Sequence, residues 1–192
     1  MVATRNEHKL RELREILEPR LELVPLPDDV ELPPEDAETF EGNALGKARA
    51  AHAATGMPAI ADDSGIAARA LDGRPGPRSA RYAGPNATDE ENLNLLLSEL
   101  ADKEDRSVAY VAALAYVDSD GNEHVVEGRC EGRLAEVPRG TGGFGYDPAF
   151  VPLDTGPGDH RTMAELDPEE KHAISHRGRA ARELAELLES RW

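Results

Sequence analysis

Cysteine is almost missing from this chain. Cys130 stands alone, so no disulfide can form within it. Aromatic residues make up only 4% of the 192 positions while hydrophobic residues reach 39%, so the core has to be built from Ala, Val, Leu and Ile. No apolar run approaches the roughly 20 residues of a membrane-spanning helix, which argues against a membrane partner. Met1 to Asn6 lacks the apolar stretch of a secretory leader. Together with the lone cysteine, this sets the expectation of a cytoplasmic protein.

Positive charge is scarce too. Lysine occurs only at Lys9, Lys47, Lys103 and Lys171, and the formal net charge is −16. Such a chain repels the phosphates of nucleic acid, which disfavours a nucleic-acid partner. If it handles phosphates, it must gather its few cations locally or use metal ions. The acidity and the arginine bias fit either salt adaptation or genomic base composition.

What is present reads as alternating helices and strands. Met1 to Ala3 is a short opening strand. Leu10, Leu13 and Leu17 recur at helical spacing, with Asn6 as cap and Pro19 as stop. Residues 24 to 36 are rich in Pro and acid and read as loop. A second helix runs from Thr39 to Gly56, and Pro58 to Ala61 is a short buried strand leading into an Asp pair. Residues 72 to 86 form a long loop. Thr88 with Glu91 is a capping box for a helix carrying Leu93, Leu96, Leu97 and Leu100. Residues 107 to 117 make the longest strand, apolar on both faces and so central; 123 to 130 return as its partner. Asp118, Asp120 and Gly121 resemble a calcium loop without its full ligand set, so a hairpin turn is expected. Asp167-Pro168 opens a helix, and Leu184, Leu187 and Leu188 line a last one. The expected fold class is α/β: one domain over residues 1–192 with a mixed β-sheet flanked by helices.

Four constellations can carry chemistry, each with a plainer rival. Thr4-Arg5-Asn6-Glu7-His8-Lys9 joins a strand end to a helix start, a natural anion site, or simply a capped helix. Asp62-Asp63-Ser64-Gly65 sets two carboxylates side by side, a pair that needs a cation or strong donors; it is also good turn sequence. Mg²⁺ suits that pair, because it takes few protein carboxylates together with water and phosphate oxygens. Gly140 to Gly145 matches G-x-G-x-x-G, but Tyr146-Asp147-Pro148 follows where a dinucleotide fold needs a helix. The glycines instead let a ring approach the backbone, with Phe144 stacking on a base and Asp147 holding ring or sugar donors. Lys171 and Ser175 share a helix face by spacing, and His176 with Arg177 can clamp a purine carbonyl or a phosphate; an ordinary charged helix surface is the rival.

The order of these segments is more specific than any one of them. Thr4-Arg5-Asn6 with Lys9, Thr39-Phe40 with Asn43-Ala44 and Lys47-Ala48, and Ala61 to Gly65 lead the series. Pro75-Gly76 with Ser79 to Tyr82, Gly143 to Phe150, Ala164 to Leu166, Glu170-Lys171 and Ser175 to Gly178 complete it. Over nearly its whole length the chain resembles the pyrophosphatases of non-standard purine nucleoside triphosphates, the inosine/xanthosine triphosphate pyrophosphatase family.

The resemblance implies an elongated mixed sheet in two lobes around a nucleotide cleft, a Mg²⁺ cofactor and a homodimer. It implies hydrolysis of dITP, ITP and XTP to the monophosphate and pyrophosphate. It carries phosphate binding onto Thr4 to Lys9, catalysis onto Asp63 with Ser64 beside it, and base recognition onto Phe144, Gly145, Tyr146 and Asp147. Base and phosphate contacts fall on Lys171, His176 and Arg177. Glu35 matches a metal-site glutamate, with Glu31 and Glu38 as alternatives. Asp63, Asp62 and Glu35 are then the metal set, and Lys9 and Lys47 hold phosphate oxygens. Donors such as His176 and Arg177 suit a 6-oxo purine and reject a 6-amino group. Two departures stand out. Gly42 replaces a frequent Glu, and Arg5 replaces a small residue. They are the support for a rival reading as a nucleotide sensor with weak catalysis; a pyrophosphatase for other modified nucleotides is the second rival.

Overall fold

A computed structural model describes residues 1–18 and 21–189. Pro19, expected to stop the first helix, lies outside the described residues. The elements in chain order are α1 (Glu7–Leu17), α2 (Phe40–Thr55), β1 (Ala59–Ala68), α3 (Asp89–Glu99), β2 (Ser107–Val117), β3 (Glu123–Leu134), β4 (Phe150–Pro152), α4 (Pro168–Ile174) and α5 (His176–Glu189). The four strands form one sheet in the order β1-β2-β3-β4. β3 and β4 run antiparallel, with Arg133 opposite Val151. Val2 adds parallel bridges to Ile60 and Pro25, so pairing of both senses occurs, as expected for a mixed α/β fold.

Local chemistry accounts for the helix ends. Asn6 caps α1 by accepting from the His8 and Lys9 amides at 3.0 and 3.2 Å. Thr39 caps α2, and Gly56, at φ +68°, closes it in the left-handed region that glycine tolerates. Thr88 with Glu91 and Asp167 with Glu170 each complete a capping box. The expected turn at 118–122 is held by Asp118, whose Oδ1 accepts the Asp120 and Asn122 amides; this is an Asx turn, with the carboxylate satisfied by its own loop.

Four expectations need correction. β1 does not end at Ala61: it runs through the Asp pair to Ala68, because neighbouring donors and cations satisfy carboxylates that would otherwise leave a strand. β3 continues past 130 to Leu134, where β4 supplies a partner strand absent from the expected set. The loop at 72–86 contains a 3₁₀ turn over Gly76–Arg81. Ser175 does not continue the helix of Lys171: it caps α4 in extended conformation, so the two side chains do not share one helix face.

The chain forms two compact units, each assembled from separate stretches. The first unit comprises Met1–Asp63, Ala112–Gly128 and the segment from His176; the second comprises Ser64–Val111 and Arg129–Ser175. In the first unit, Leu13 and Leu17 of α1 pack with Val2, Ile60, Leu114 and Leu184. Full burial of one such leucine contributes about 1.5–3 kcal/mol. A second cluster is almost all alanine: Ala44, Ala48 and Ala51 of α2 with Ala59, Ala61, Ala113 and Ala115 of the strands. Small side chains let the helix lie close to the sheet, and the cluster fits the expectation of a core built from small and aliphatic residues. Gly128 serves the same end, since a Cβ there would sit 2.1 Å from the His176 carbonyl oxygen. The second unit centres on Ile66, Leu93, Leu96, Leu100, Tyr110, Phe150 and Met163.

Candidate active site

Two groups of polar side chains stand out, one in each unit. In the first unit, β1 presents Asp62 and Asp63 in succession, and successive strand residues point to opposite faces. Asp62 is fully buried. Its Oδ2 lies 3.1 Å from Lys9 Nζ and 3.3 Å from Arg177 Nε. Burial pushes the Asp62 carboxyl up, but Lys9, Arg177 and Lys47 overrule it and hold it well below the usual carboxylate range. Arg177 is itself 2% exposed and also pairs with Glu12 through Nη1. Burial opposes its charge, while Asp62 and Glu12 restore it and raise its pKa.

Asp63 has a different environment. It is 3% exposed and accepts a hydrogen bond from Asn43 Nδ2 at 2.8 Å. Burial raises its pKa; Lys47, Asn43 and Lys9 offset this in part, and Glu35 adds to the rise. Lys47 pairs with Glu35 and donates to the Asp62 carbonyl at 2.5 Å. One carboxylate is therefore neutralised and the other is short of positive charge. Among the described residues, no group of three or more His, Cys, Asp and Glu is arranged to hold a metal by itself. Asp63 and Glu35 are hard oxygen donors, and the charge of Glu35 adds to the rise at Asp63. Such a pair fits Mg²⁺, which completes its shell with water and substrate phosphate. Glu31 and Glu38 are exposed, leaving Glu35 as the carboxylate of that run that meets the cluster.

Other expected residues of this unit have local tasks. Thr4 Oγ1 accepts the Asn6 amide at 3.1 Å, and Asn6 occupies the amides of His8 and Lys9. Glu7 and His8 lie exposed on the first turn of α1. Arg5 turns to the Pro-rich loop, donating to the carbonyls of Leu26, Pro27, Asp28 and Val30. A Cβ on Gly42 would meet Ala37 Cβ at 2.9 Å, so glycine is what this helix start accommodates. His176 is buried at the start of α5.

In the second unit the Gly-rich loop folds around Asp147, which is 4% exposed. Its Oδ2 accepts from the Phe144 amide at 3.0 Å and from Lys171 Nζ at 2.8 Å, and its Oδ1 accepts from the Tyr110 hydroxyl at 3.0 Å. Lys171 Nζ lies 5.3 Å from the centre of the Phe144 ring. The Gly145 amide donates to Asp89 at 2.8 Å, and the Tyr146 hydroxyl donates to the Ser79 carbonyl at 2.8 Å. Gly65 is needed here, since a Cβ on it would stand 2.3 Å from Ser79 Oγ. Ser64 beside it is half-buried.

Asn43, Glu12, Tyr110 and Asp89 had no role assigned from sequence. Asn43 had a usable signal: it sits four residues before Lys47 on a helix face otherwise buried through alanines. Glu12 stands three residues after Lys9 on α1, again on one face. Tyr110 and Asp89 meet partners 37 and 56 positions away, for which local pattern holds no signal.

The model of the Ham1 family matches residues 1–187. A dITP/XTP pyrophosphatase of Corynebacterium diphtheriae is 47% identical, over 98% of this chain and 95% of that protein. One of Mycolicibacterium paratuberculosis is 50% identical, over 99% and 95%. Among solved structures, a HAM1 protein from Coxiella burnetii superimposes with a TM-score of 0.89 at 42% identity, covering 98% of this chain and 97% of that one.

Proposed function

The chain belongs to the Ham1 family, and we propose that it hydrolyses dITP, XTP and ITP to the nucleoside monophosphate and pyrophosphate. The Corynebacterium and Mycolicibacterium relatives are dITP/XTP pyrophosphatases at close to half identity over nearly the full length. The observation that carries the site reading is the divided Asp pair. Asp62 is neutralised by Lys9 and Arg177, while Asp63 stays short of charge beside Asn43 and Glu35.

In this reading Asp63 takes the proton of the water that attacks the α-phosphorus. A carboxylate raised by burial is a better base than an exposed one. Lys9 and Lys47 offset the charge that develops on phosphate oxygens, and Thr4, Asn6, Glu7 and His8 line the triphosphate while Arg5 holds the 26–30 loop. Asp62 is the fixed anion that orients Lys9. Asp63 and Glu35 would hold Mg²⁺, which when bound supplies charge neutralisation at the triphosphate. Phe144 to Asp147, Lys171 and His176 read the purine, and Arg177 holds Asp62 and Glu12 in the buried network. A 6-amino group would leave buried donors without acceptors, a loss large enough to reject ATP. The domain spans 1–192, acts as a homodimer and works in the cytoplasm. The two features that favoured a weak sensor have packing explanations: Gly42 sits against Ala37, and Arg5 clamps the 26–30 loop.

Pyrophosphate release from dITP, XTP, ITP and ATP, with Mg²⁺ and with chelator, is the test. Turnover of the three oxo-purines at least about 10²-fold above ATP is expected, and chelator should abolish it. Equal use of ATP overturns the substrate class, and full activity in chelator overturns the metal. Light scattering at twice the chain mass checks the dimer.

A further inference from the structure

Tyr110 sits in β2, a strand whose sequence reads as plain core. The residue is 7% exposed, and its ring stacks on Phe150 at 4.2 Å between centroids. An ordinary core tyrosine would be explained by that stacking alone. This one also donates to Asp147 Oδ1 at 3.0 Å, while Oδ2 of the same carboxylate accepts from Lys171 and the Phe144 amide. The two oxygens thus face different elements. Tyr110 holds one of them, which sets the rotation of the carboxylate and therefore where Lys171 and the loop are anchored. The loop has little slack against that carboxylate, since a Cβ on Gly143 would lie 2.0 Å from Asp147 Oδ2. Burial and the charge of Asp147 push the Tyr110 hydroxyl well above its ordinary pKa, so it remains a donor at every working pH.

We propose that Tyr110 is a positioning residue for purine recognition, acting through Asp147 to aim Lys171 and the Phe144–Asp147 loop at the base. The proposal rests on the reading of that loop and Lys171 as the base-binding group. Removing the hydroxyl leaves Oδ1 buried without this donor, and the carboxylate is free to turn from Lys171.

The test uses the full chain with Mg²⁺ and compares Tyr110→Phe, Asp147→Asn, their double variant and Lys171→Ala, measuring kcat and KM for dITP. Tyr110→Phe should raise KM roughly tenfold, the equivalent of one lost hydrogen bond to a charged group, with kcat within about twofold. The double variant should match Asp147→Asn alone, because Tyr110 has nothing to act through once Asp147 is changed. If Asp147→Asn and Lys171→Ala raise KM while Tyr110→Phe leaves it unchanged, Tyr110 is core only and the proposal falls. Additive effects in the double variant overturn it equally. If neither Asp147→Asn nor Lys171→Ala alters KM, the base-loop reading itself fails and this inference falls with it.

Discussion

Arg177→Met is the most direct probe of the buried charge network. Arg177 is 2% exposed and touches two carboxylates: Asp62 at 3.3 Å through Nε, and Glu12 through Nη1. Methionine fills most of the same space, so the packing change is small and the electrostatic change dominates. Asp62, fully buried, keeps Lys9 at 3.1 Å and the field of Lys47 but loses Arg177. Breaking a buried ion pair by deleting one partner costs about 3–5 kcal/mol, because the charge left behind has no water to return to. For a chain of this size each kcal/mol moves Tm by about 2–4 °C, so the expected drop is roughly 6–20 °C. Urea denaturation at neutral pH and scanning calorimetry read it directly. Adding Glu12→Gln removes one stranded charge and should recover about 0.5–3 kcal/mol of the loss. Arg177→Lys should fall between, since one ammonium cannot bridge two carboxylates as a guanidinium fork does. A loss below about 1 kcal/mol for Arg177→Met, with an unchanged denaturant slope, would refute the reasoning: the network would then behave like an exposed surface pair.

Three further outcomes follow from the geometry. Asp63→Asn should cut pyrophosphate release by on the order of 10²–10⁴-fold while leaving the neutral-pH Tm unchanged or higher, because the amide escapes the burial penalty that raises the carboxylate; a lowered Tm contradicts this. Gly143→Ala should raise KM for dITP roughly tenfold, since the residue sits at φ +72° and its Cβ would enter the Asp147 carboxylate; unchanged kinetics contradict that. Tyr82 is raised to about 12 by burial and by Glu99, which accepts its hydroxyl proton. The folded state holds this proton more tightly than the unfolded one. The contribution is therefore fully present below pH 10 and is lost between pH 10 and about 12. The stability difference between wild type and Tyr82→Phe, followed by denaturation across that range, should shrink as pH rises; a constant difference would show that the hydroxyl does not titrate with folding.

What could be read in advance follows from the range of the interactions. The caps at Asn6, Thr39 and Thr88 join residues two to three positions apart, and those helices began where the sequence put them. β2 announced itself as an apolar run with the bounds it has. β4, three residues long, has no pattern to announce. By sequence Arg5 belongs to a phosphate loop; its partners lie 21 to 25 positions away in a loop without periodicity. Arg177 finds Asp62 across 115 positions and Glu12 across 165. The Asp pair depended on a secondary-structure judgement. Read as a turn, its two carboxylates are interchangeable. Read as strand, the two-residue period sends them to opposite faces. Asp62 then meets Lys9 and Arg177, the cations of α1 and α5, while Asp63 meets Asn43 of α2. The division between a carboxylate held below the usual range and one raised above it is thus a consequence of β1 continuing through the pair. It continues there because those same helices supply the donors that let two aspartates stay buried in a strand.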